Sequence, residues 1–227
     1  MDHVAAEVAE ISLRTLQVSG TATVLSCVAG VPLGVVLGRS RRRLARIGVL
    51  LAHVCLGMPP VVVGLALYLL FSRSGPLGPM QWLFTKKVMI LAQVVLSTPF
   101  VVAVVATAVA AVPIQLEEHL KAIGATPRQA RFFALREARH GVALAVAAAF
   151  GRSVSEVGAV LIVGGNIAHH TRVLTTAIVL ETSRGRFELA LALGLVLLSL
   201  AFVANTIVLL VQFRSTGPAL PTVHEPP

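Results

Sequence analysis

Two oppositely charged residues lie four positions apart in a long apolar stretch. Arg152 and Glu156 are the only charged residues between about Gly141 and Val163. Residues at positions i and i+4 share one face of a helix, so the two side chains could pair. Charged side chains within a bilayer are costly and usually face a protein interior or a water-filled path. The sequence therefore predicts either a structural ion pair that locks one helix to its neighbours or a gate beside a pathway.

A stretch rich in hydrogen-bond donors follows, from Gly164 to Thr176. Two glycines followed by Asn166 permit tight turns whose exposed N–H groups could hold an anion. Threonine hydroxyls and Arg172 would add donors for an oxyanion such as tungstate, molybdate or sulfate. A simpler interpretation is a glycine C-cap followed by an ordinary outer loop. The residues considered for a pathway or gate are Arg152, Glu156, Gly164, Gly165, Asn166, Thr171, Arg172, Thr175 and Thr176.

Other reactive constellations are missing from the sequence. Cys27 and Cys55 lie in apolar runs with no partner at metal-binding spacing, and His169–His170 has no further ligands at a fixed spacing. No Gly-x-x-x-x-Gly-Lys-Ser/Thr loop occurs, so the chain does not hydrolyse ATP by that route. We expect no catalytic residue, no metal site and no cofactor.

The segments that must position these residues are strongly apolar. The chain is 56% hydrophobic and 13% charged, with a mean hydropathy of +0.86, whereas soluble domains carry about 25% charged residues. This excess predicts a membrane protein covered by lipid. The net charge of +9 does not indicate a nucleic-acid partner, because the basic residues cluster between apolar runs without the motifs of such proteins.

Five apolar stretches are long enough to cross a bilayer, which takes about 20 residues. They predict an all-α membrane protein in which residues 1–215 form a single transmembrane domain and residues 216–227 a cytoplasmic tail. Prolines at positions 32, 59, 60 and 99 should kink these helices, either for packing or around a pathway. The predicted spans are about 15–38, 47–71, 88–112, 141–163 and 189–213, with a cytoplasmic loop at 113–140.

The distribution of lysine and arginine predicts the orientation of these spans. Loops 39–46 and 113–140 each hold five basic residues, and with Arg214 they place 11 on one side of the membrane against 7 on the other. Cytoplasmic loops carry the excess of positive charge. The N-terminus is therefore expected outside and the C-terminus inside.

The long cytoplasmic loop contains the signals of two short helices. Thr126 and Gln129 fit a capping box, with Pro127 at the first helical position and a break before it at Gly124–Ala125. A merely connecting loop is the alternative, although structureless connections beyond about 12–15 residues are uncommon without a function. The apolar residues expected to pack the second helix against the bundle are Phe132, Phe133 and Leu135.

This loop resembles the "EAA" coupling motif of type I ABC importer permeases, in which a glutamate-led helix, a glycine and a second helix insert into a groove on the ATPase subunit. Glu118 and Gly124 fall on the glutamate and glycine positions of that motif. The chain departs from it where His119 and Leu120 replace two alanines, and where 134–137 reads Ala-Leu-Arg-Glu instead of Ile-x-Leu-Pro. The residues that the resemblance implies for coupling are Glu117, Glu118, Gly124 and Ala125.

The second half of the chain is similar to the tungstate-type branch of these permeases. Molybdate permeases tend to show Gly-Glu-Phe-Gly where this chain has Ser-Glu-Val-Gly at 155–158. The resemblance is strongest from Glu117 to Asn205. The motifs that carry it are Phe150-Gly151-Arg152, Ser155-Glu156-Val157-Gly158, Gly164-Gly165-Asn166-Ile167, Thr171-Arg172, Thr175-Thr176-Ala177-Ile178 and Glu181-Thr182.

The resemblance implies a multi-pass permease subunit of the inner membrane that imports an oxyanion, with tungstate as the substrate. It further implies a homodimeric pore, a separate ATP-binding subunit that supplies the energy for alternating access, and an extracytoplasmic binding protein that delivers the anion. The alternatives are molybdate or another ABC substrate, a non-transporting membrane scaffold, and an intramembrane enzyme using Glu156 or His169–His170.

Overall fold

A computed structural model describes residues 2–214, with side chains from residue 5 onward except at 117, 121, 208, 209 and 211–214. The predicted tail at 216–227 and the side chain of Glu117 lie outside this description. Residues 2–214 form ten α-helices and one short 3-10 helix at Gly78–Met80, and no strand. The helices are α1 Asp2–Arg39, α2 Arg43–Cys55, α3 Pro60–Phe71, α4 Lys86–Ala110, α5 Ile114–Ala122, α6 Pro127–Glu137, α7 Arg139–Ser155, α8 Gly158–Gly164, α9 Leu174–Ser183 and α10 Phe187–Arg214.

Three of these helices are long and apolar enough to cross a membrane alone. They contain the segments Ala5–Arg39, Lys86–Ala110 and Phe187–Ile207. At a rise of 1.5 Å per residue, α4 is about 37 Å long, which exceeds the hydrocarbon thickness of about 30 Å. Large apolar side chains along α10, such as Leu191 and Phe202, are about 70% exposed and fit a lipid-facing surface.

Two predicted spans are each broken into a pair of helices. α2 and α3 meet at an angle of 99°, and α7 and α8 at 53°. Pro59 precedes the first position of α3 and Pro60 occupies it, where the missing N–H of proline leaves no helical hydrogen bond unmade. Pro32 and Pro99 instead lie inside α1 and α4, which remain continuous. The described residues therefore contain three to five candidate crossings, depending on how each bent pair is counted.

The core forms where α1 and α8 pack against α4. α1 approaches α4 so closely that a Cβ atom added at Gly38 would lie 2.5 Å from the carbonyl oxygen of Ala106. α8 meets α3 in the same way, since a Cβ atom at Gly64 would lie 2.7 Å from Cα of Ala159. Small residues thus let helix backbones approach closely, as is common in membrane bundles. This packing places the break between α7 and α8 beside the middle of α4.

Candidate functional site

The break between α7 and α8 changes the expected role of Glu156. α7 ends at Ser155, and Glu156 adopts an extended conformation with φ −70° and ψ 125°. Its carboxylate oxygen Oε1 accepts a hydrogen bond of 3.1 Å from the backbone N–H of Ala159, in the first turn of α8. Among the described residues no ion pair joins Glu156 to Arg152. The structural ion pair, one of the two interpretations of the sequence, is not formed, and the helix stops one residue before the glutamate.

A buried polar cluster satisfies the helix end that this break exposes. The cluster consists of Ser19 from α1, Gln93 and Ser97 from α4, and Ser153 from α7, all at most 3% exposed. The carbonyl oxygen of Ser153 accepts hydrogen bonds from Gln93 Nε2 at 2.8 Å and Ser19 Oγ at 3.2 Å. The hydroxyls of Ser97 and Ser153 are 3.0 Å apart. Helix-end carbonyls within a membrane need such internal partners.

Sequence reasoning missed this cluster, although one signal was available. Gln93 is the only amide side chain in the predicted span 88–112, and it lies among valines, leucines and alanines. A polar residue in an apolar span normally faces the interior of the bundle and has a partner there. That partner, Ser153, is 60 residues away in the sequence. Only the packing of α4 against α7 identifies it.

Arg152 lies at the edge of the buried polar cluster and has no partner in the part of the chain that the structure describes. The side chain is half-buried, and its Nε atom is enclosed with no hydrogen-bond partner among the described residues. Arg152 and Glu156 border a small interior gap together with Gln93, Ser97 and others, and this gap is too small to hold a water molecule. The structure thus places these two predicted site residues around one closed gap rather than in an ion pair. A buried polar atom without a partner is costly, so Arg152 is a candidate for a contact that the described chain does not supply.

The glycine-asparagine segment ends α8 with a glycine C-cap, as the simpler interpretation of the sequence held. Gly165 has φ 69° and a Cβ atom there would lie 2.7 Å from the ring of Phe84, so only glycine fits. The following Asn166 is also left-handed, with φ 52°. Its Oδ1 atom accepts a hydrogen bond of 3.3 Å from Nε of Arg172. Gly164, the last residue of α8, packs against Met89 of α4.

The three threonine hydroxyls of this segment all bind backbone groups of the chain. Thr171 Oγ1 accepts from the N–H of Ile167 at 3.0 Å and donates to the carbonyl oxygen of Gly164. Thr175 Oγ1 donates to the carbonyl oxygen of Glu156 at 3.2 Å. Thr176 Oγ1 accepts from the N–H of Val173 at 3.1 Å, in the first turn of α9. The hydroxyls therefore hold the loop in shape and do not converge on one point.

Arg172 belongs to a charged network at the N-terminal part of α1. Its Nη1 atom lies 3.6 Å from a carboxylate oxygen of Glu7, and its carbonyl oxygen accepts a hydrogen bond of 2.9 Å from Arg14. Arg14 also pairs with Glu10, whose second oxygen lies 3.0 Å from Nδ1 of His169. The network ties the loop after α8 to α1, and Arg172 is not among the residues that line the gap beside Arg152.

The predicted helix pair in the loop 113–140 is confirmed as α5 and α6. The two helices meet at Gly124, whose φ of 94° is a left-handed conformation that suits glycine. The capping box is also present: the N–H of Thr126 donates to Gln129 Oε1 at 2.7 Å, and the N–H of Gln129 donates to Thr126 Oγ1 at 3.3 Å. Ala125 is half-buried between the helices, and Glu118 is exposed on α5.

The face by which α6 packs on the bundle differs from the prediction. Ala130 and Ala134 are fully buried, while the side chains of Phe132 and Phe133 are 63% and 42% exposed. Of the three residues expected to pack there, only Leu135 does so. Ile123, between α5 and α6, is 82% exposed and adds a third exposed apolar side chain near their junction. We call Ile123, Phe132 and Phe133 the junction residues.

Comparison with known proteins identifies the family. Residues 30–216 match the family described as the binding-protein-dependent transport system inner membrane component. The chain belongs to this permease family. It is 41% identical over 213 residues to a probable anion ABC transporter permease protein from Haloferax volcanii, covering 92% of this chain and 91% of that protein. It is 38% identical over 206 residues to a tungstate uptake system permease protein from Peptoclostridium acidaminophilum, covering 91% and 90%.

Solved structures show the same fold. The permease aligns with a chain of the methionine ABC transporter MetNI in an inward-facing conformation with a TM-score of 0.70 and 23% identity, covering 92% of this chain and 95% of that one.

The family also decides one alternative: the chain is a permease subunit and not an enzyme, so the hypothesis of an intramembrane enzyme is wrong. In the part of the chain that the structure describes, no group of three or more His, Cys, Asp or Glu residues could hold a metal ion.

Proposed function

We propose that this permease imports an oxyanion and that its substrate is tungstate. The observation that carries the proposal is the 38% identity, over nine-tenths of both chains, to a permease named for tungstate uptake. The 41% identity to a probable anion permease supports the same class of substrate. An unpaired arginine beside the break of α7 and α8 suits an anionic substrate.

The proposed assembly contains two copies of this chain, two ATP-binding subunits and an extracytoplasmic binding protein in the inner membrane. Each copy crosses five times, with the N-terminus outside and the C-terminus inside. The exposed junction residues support docking of an ATP-binding subunit, because large apolar side chains on the surface commonly mark protein interfaces. Glu117, Glu118, Gly124 and Ala125 form the core of this docking site. The missing P-loop requires a partner of that kind.

The proposed pathway runs beside Arg152 and Glu156, where the closed gap between them must widen before an anion can pass. The guanidinium of Arg152 attracts the anion, while Glu156 keeps the break open by binding the first turn of α8. The residues Gly164, Gly165, Asn166, Thr171, Arg172, Thr175 and Thr176 form the outer gate in this proposal. Their internal hydrogen bonds fit a rigid gate whose shape is held by the loop itself.

Uptake by the reconstituted transporter tests the proposal. Proteoliposomes containing the permease, its ATP-binding subunit and its binding protein are offered tungstate, molybdate and sulfate separately, and accumulated anion and ATP hydrolysis are measured. We expect ATP-dependent uptake of tungstate at lower concentrations than of the other two anions. Calorimetric titration of the binding protein with the same anions separates recognition from transport. Equal affinity and uptake for molybdate and tungstate would overturn the tungstate assignment, and no uptake of any anion would overturn the import of oxyanions.

A further inference from the structure

Four arginines at the turn between α1 and α2 lack any partner in the part of the chain that the structure describes. Arg41, Arg42, Arg43 and Arg46 are all exposed. None of their side chains forms an ion pair or a hydrogen bond with another described residue. Four like charges within six residues repel one another, and an anion between them would relieve that repulsion. We propose that this turn binds the headgroup of an anionic phospholipid, and we call the four residues the arginine turn.

The neighbouring Arg39, in contrast to these four arginines, has hydrogen-bond partners within the chain. Its Nη1 atom donates hydrogen bonds to the carbonyl oxygens of Val109 at 3.1 Å and Val112 at 2.8 Å, at the C-terminal end of α4. A cation suits that end, where the last carbonyls of a helix lack helical partners. One arginine therefore anchors the turn to α4, and the other four remain on the surface.

The start of α2 adds to the positive potential of the arginine turn. Its N-cap residue Arg42 makes no side-chain cap, and its first turn contains no acidic residue. Natural helices favour carboxylates at this end, because the helix dipole is positive there. Arg43 and Arg46, two of the four arginines of the turn, instead place positive charge beside this helix end. The structure thus contains an exposed cationic surface with no carboxylate of the described chain to neutralise it.

An exposed apolar stripe continues directly from the arginines along α2. Ile47, Leu50 and Val54 follow Arg43 at positions i+4, i+7 and i+11, which lie on one face of a helix. Their exposed fractions are 51%, 62% and 64%. Eleven residues of helix extend about 16 Å, close to the depth of one leaflet's hydrocarbon. The surface therefore changes from cationic to apolar over the length of one acyl chain.

This order of charge and apolar surface matches a phospholipid better than a free anion. Inorganic phosphate would use the arginines but not the apolar stripe. A crevice of about 250 Å³ beside the turn, lined by Ser40 and Arg41 and by residues 110–114 between α4 and α5, gives a headgroup room to enter. Clusters of four or more basic residues next to a membrane span commonly recognise anionic lipids.

Quenching of a tryptophan placed in the stripe tests the proposal directly. Trp82 is the single tryptophan of the chain and stacks on Phe71, so Trp82→Phe gives a silent background that keeps the ring contact. In that background Leu50→Trp reports the lipid next to α2. The full chain is reconstituted in phosphatidylcholine vesicles, and acyl-brominated phosphatidylglycerol or acyl-brominated phosphatidylcholine is titrated in. We expect the reporter to prefer phosphatidylglycerol about fivefold or more at low salt.

Matched controls separate this site from general attraction to a basic protein. The same reporter at Leu195 on α10, which is 65% exposed, should show no preference between the two lipids. Replacing Arg42 and Arg43 by glutamine should remove most of the preference at Leu50→Trp, and lysine at both positions should restore it. Replacing the exposed Arg128 and Arg131 of α6 by glutamine removes the same charge and should change nothing.

Three results would overturn the proposal. Equal quenching of Leu50→Trp by both brominated lipids would show that the arginine turn does not select anionic lipid. Absence of quenching by either lipid would show that a second copy or another protein covers the stripe. Loss of the preference in the presence of equimolar inorganic phosphate would identify a free-anion site. Because none of these readouts involves uptake, the proposal stands or falls separately from the tungstate assignment.

Discussion

The side-chain amide of Gln93 on α4 donates a hydrogen bond of 2.8 Å to the carbonyl oxygen of Ser153 in the last turn of α7. The same amide lies 3.3 Å from the hydroxyl of Ser19 on α1, so one side chain connects three helices. The carbonyl that it binds is close to the point where α7 ends before the break. Gln93 therefore stabilises the broken conformation rather than a straight span.

Replacing this amide should weaken the whole bundle. Gln93→Leu leaves buried hydrogen-bonding groups of Ser19 and Ser153 with fewer partners, so we expect the free energy of unfolding to fall by about 1–3 kcal/mol. Denaturant unfolding in detergent measures the loss. The exposed Gln17 offers a matched control, since Gln17→Leu makes the same chemical change at the surface and should stay within about 0.5 kcal/mol. Equal stability of both variants would contradict the structural role of Gln93.

Arg152 should affect transport more than stability. Its unpaired Nε atom contributes no internal hydrogen bond, so Arg152→Gln should leave the free energy of unfolding unchanged or raise it. If the guanidinium contacts the passing anion, loss of a charge-assisted hydrogen bond should lower anion uptake about tenfold or more. Uptake by proteoliposomes, normalised to the amount of folded permease, checks this split. If Arg152→Gln lost stability but kept normal uptake, Arg152 would have a structural role and no role in transport.

The left-handed glycine between α5 and α6 gives a test of coupling with a close internal control. Gly124 and Gly185 have φ of 94° and 73°, and neither has a neighbour within 4 Å of an added Cβ atom. Gly124→Trp and Gly185→Trp therefore introduce similar backbone strain, about 1–2 kcal/mol each. We expect Gly124→Trp to abolish uptake in a chain that still inserts, because the new ring would lie in the proposed docking site for the ATP-binding subunit. Gly185→Trp should retain uptake, and loss in both variants would attribute the effect to strain alone.

The capping box of α6 predicts a local change in stability. Thr126→Ala removes the acceptor for the N–H of Gln129, which should cost about 1 kcal/mol and speed amide hydrogen exchange in the first turn of α6. Thr85 at the start of α4 is the matched control, because its side chain makes no cap hydrogen bond to that helix. Exchange in α4 should not change in Thr85→Ala. An unchanged α6 in Thr126→Ala would mean that packing of Ala130 and Ala134 alone holds the helix.

Local signals allowed parts of this structure to be predicted from the sequence. Thr126 and Gln129 are three residues apart, so their capping box and the helix that it starts follow from the chain itself. The apolar runs likewise predicted where the long helices lie. The glycine C-cap at Gly165 was correctly anticipated as the simpler interpretation of the glycine-asparagine segment.

The remaining features depend on contacts between distant parts of the chain. Nothing near Glu156 predicted that α7 would end at Ser155, because the partners that stabilise the break, Gln93 and Thr175, come from other helices. The exposure of Phe132 and Phe133 was unpredictable for another reason. Apolar periodicity shows that a residue will be covered, but it does not show whether the cover comes from the same chain or from another protein.

The tight fit of α1 on α4 has a mechanical consequence. With Gly38 against Ala106, the two helices cannot slide past each other without a backbone clash, so we expect them to move as one rigid unit. We expect shape change to concentrate at the bends between α2 and α3 and between α7 and α8, where the helices are interrupted. Shape change of this kind would alter the bend between α7 and α8, which carries Arg152 and Glu156.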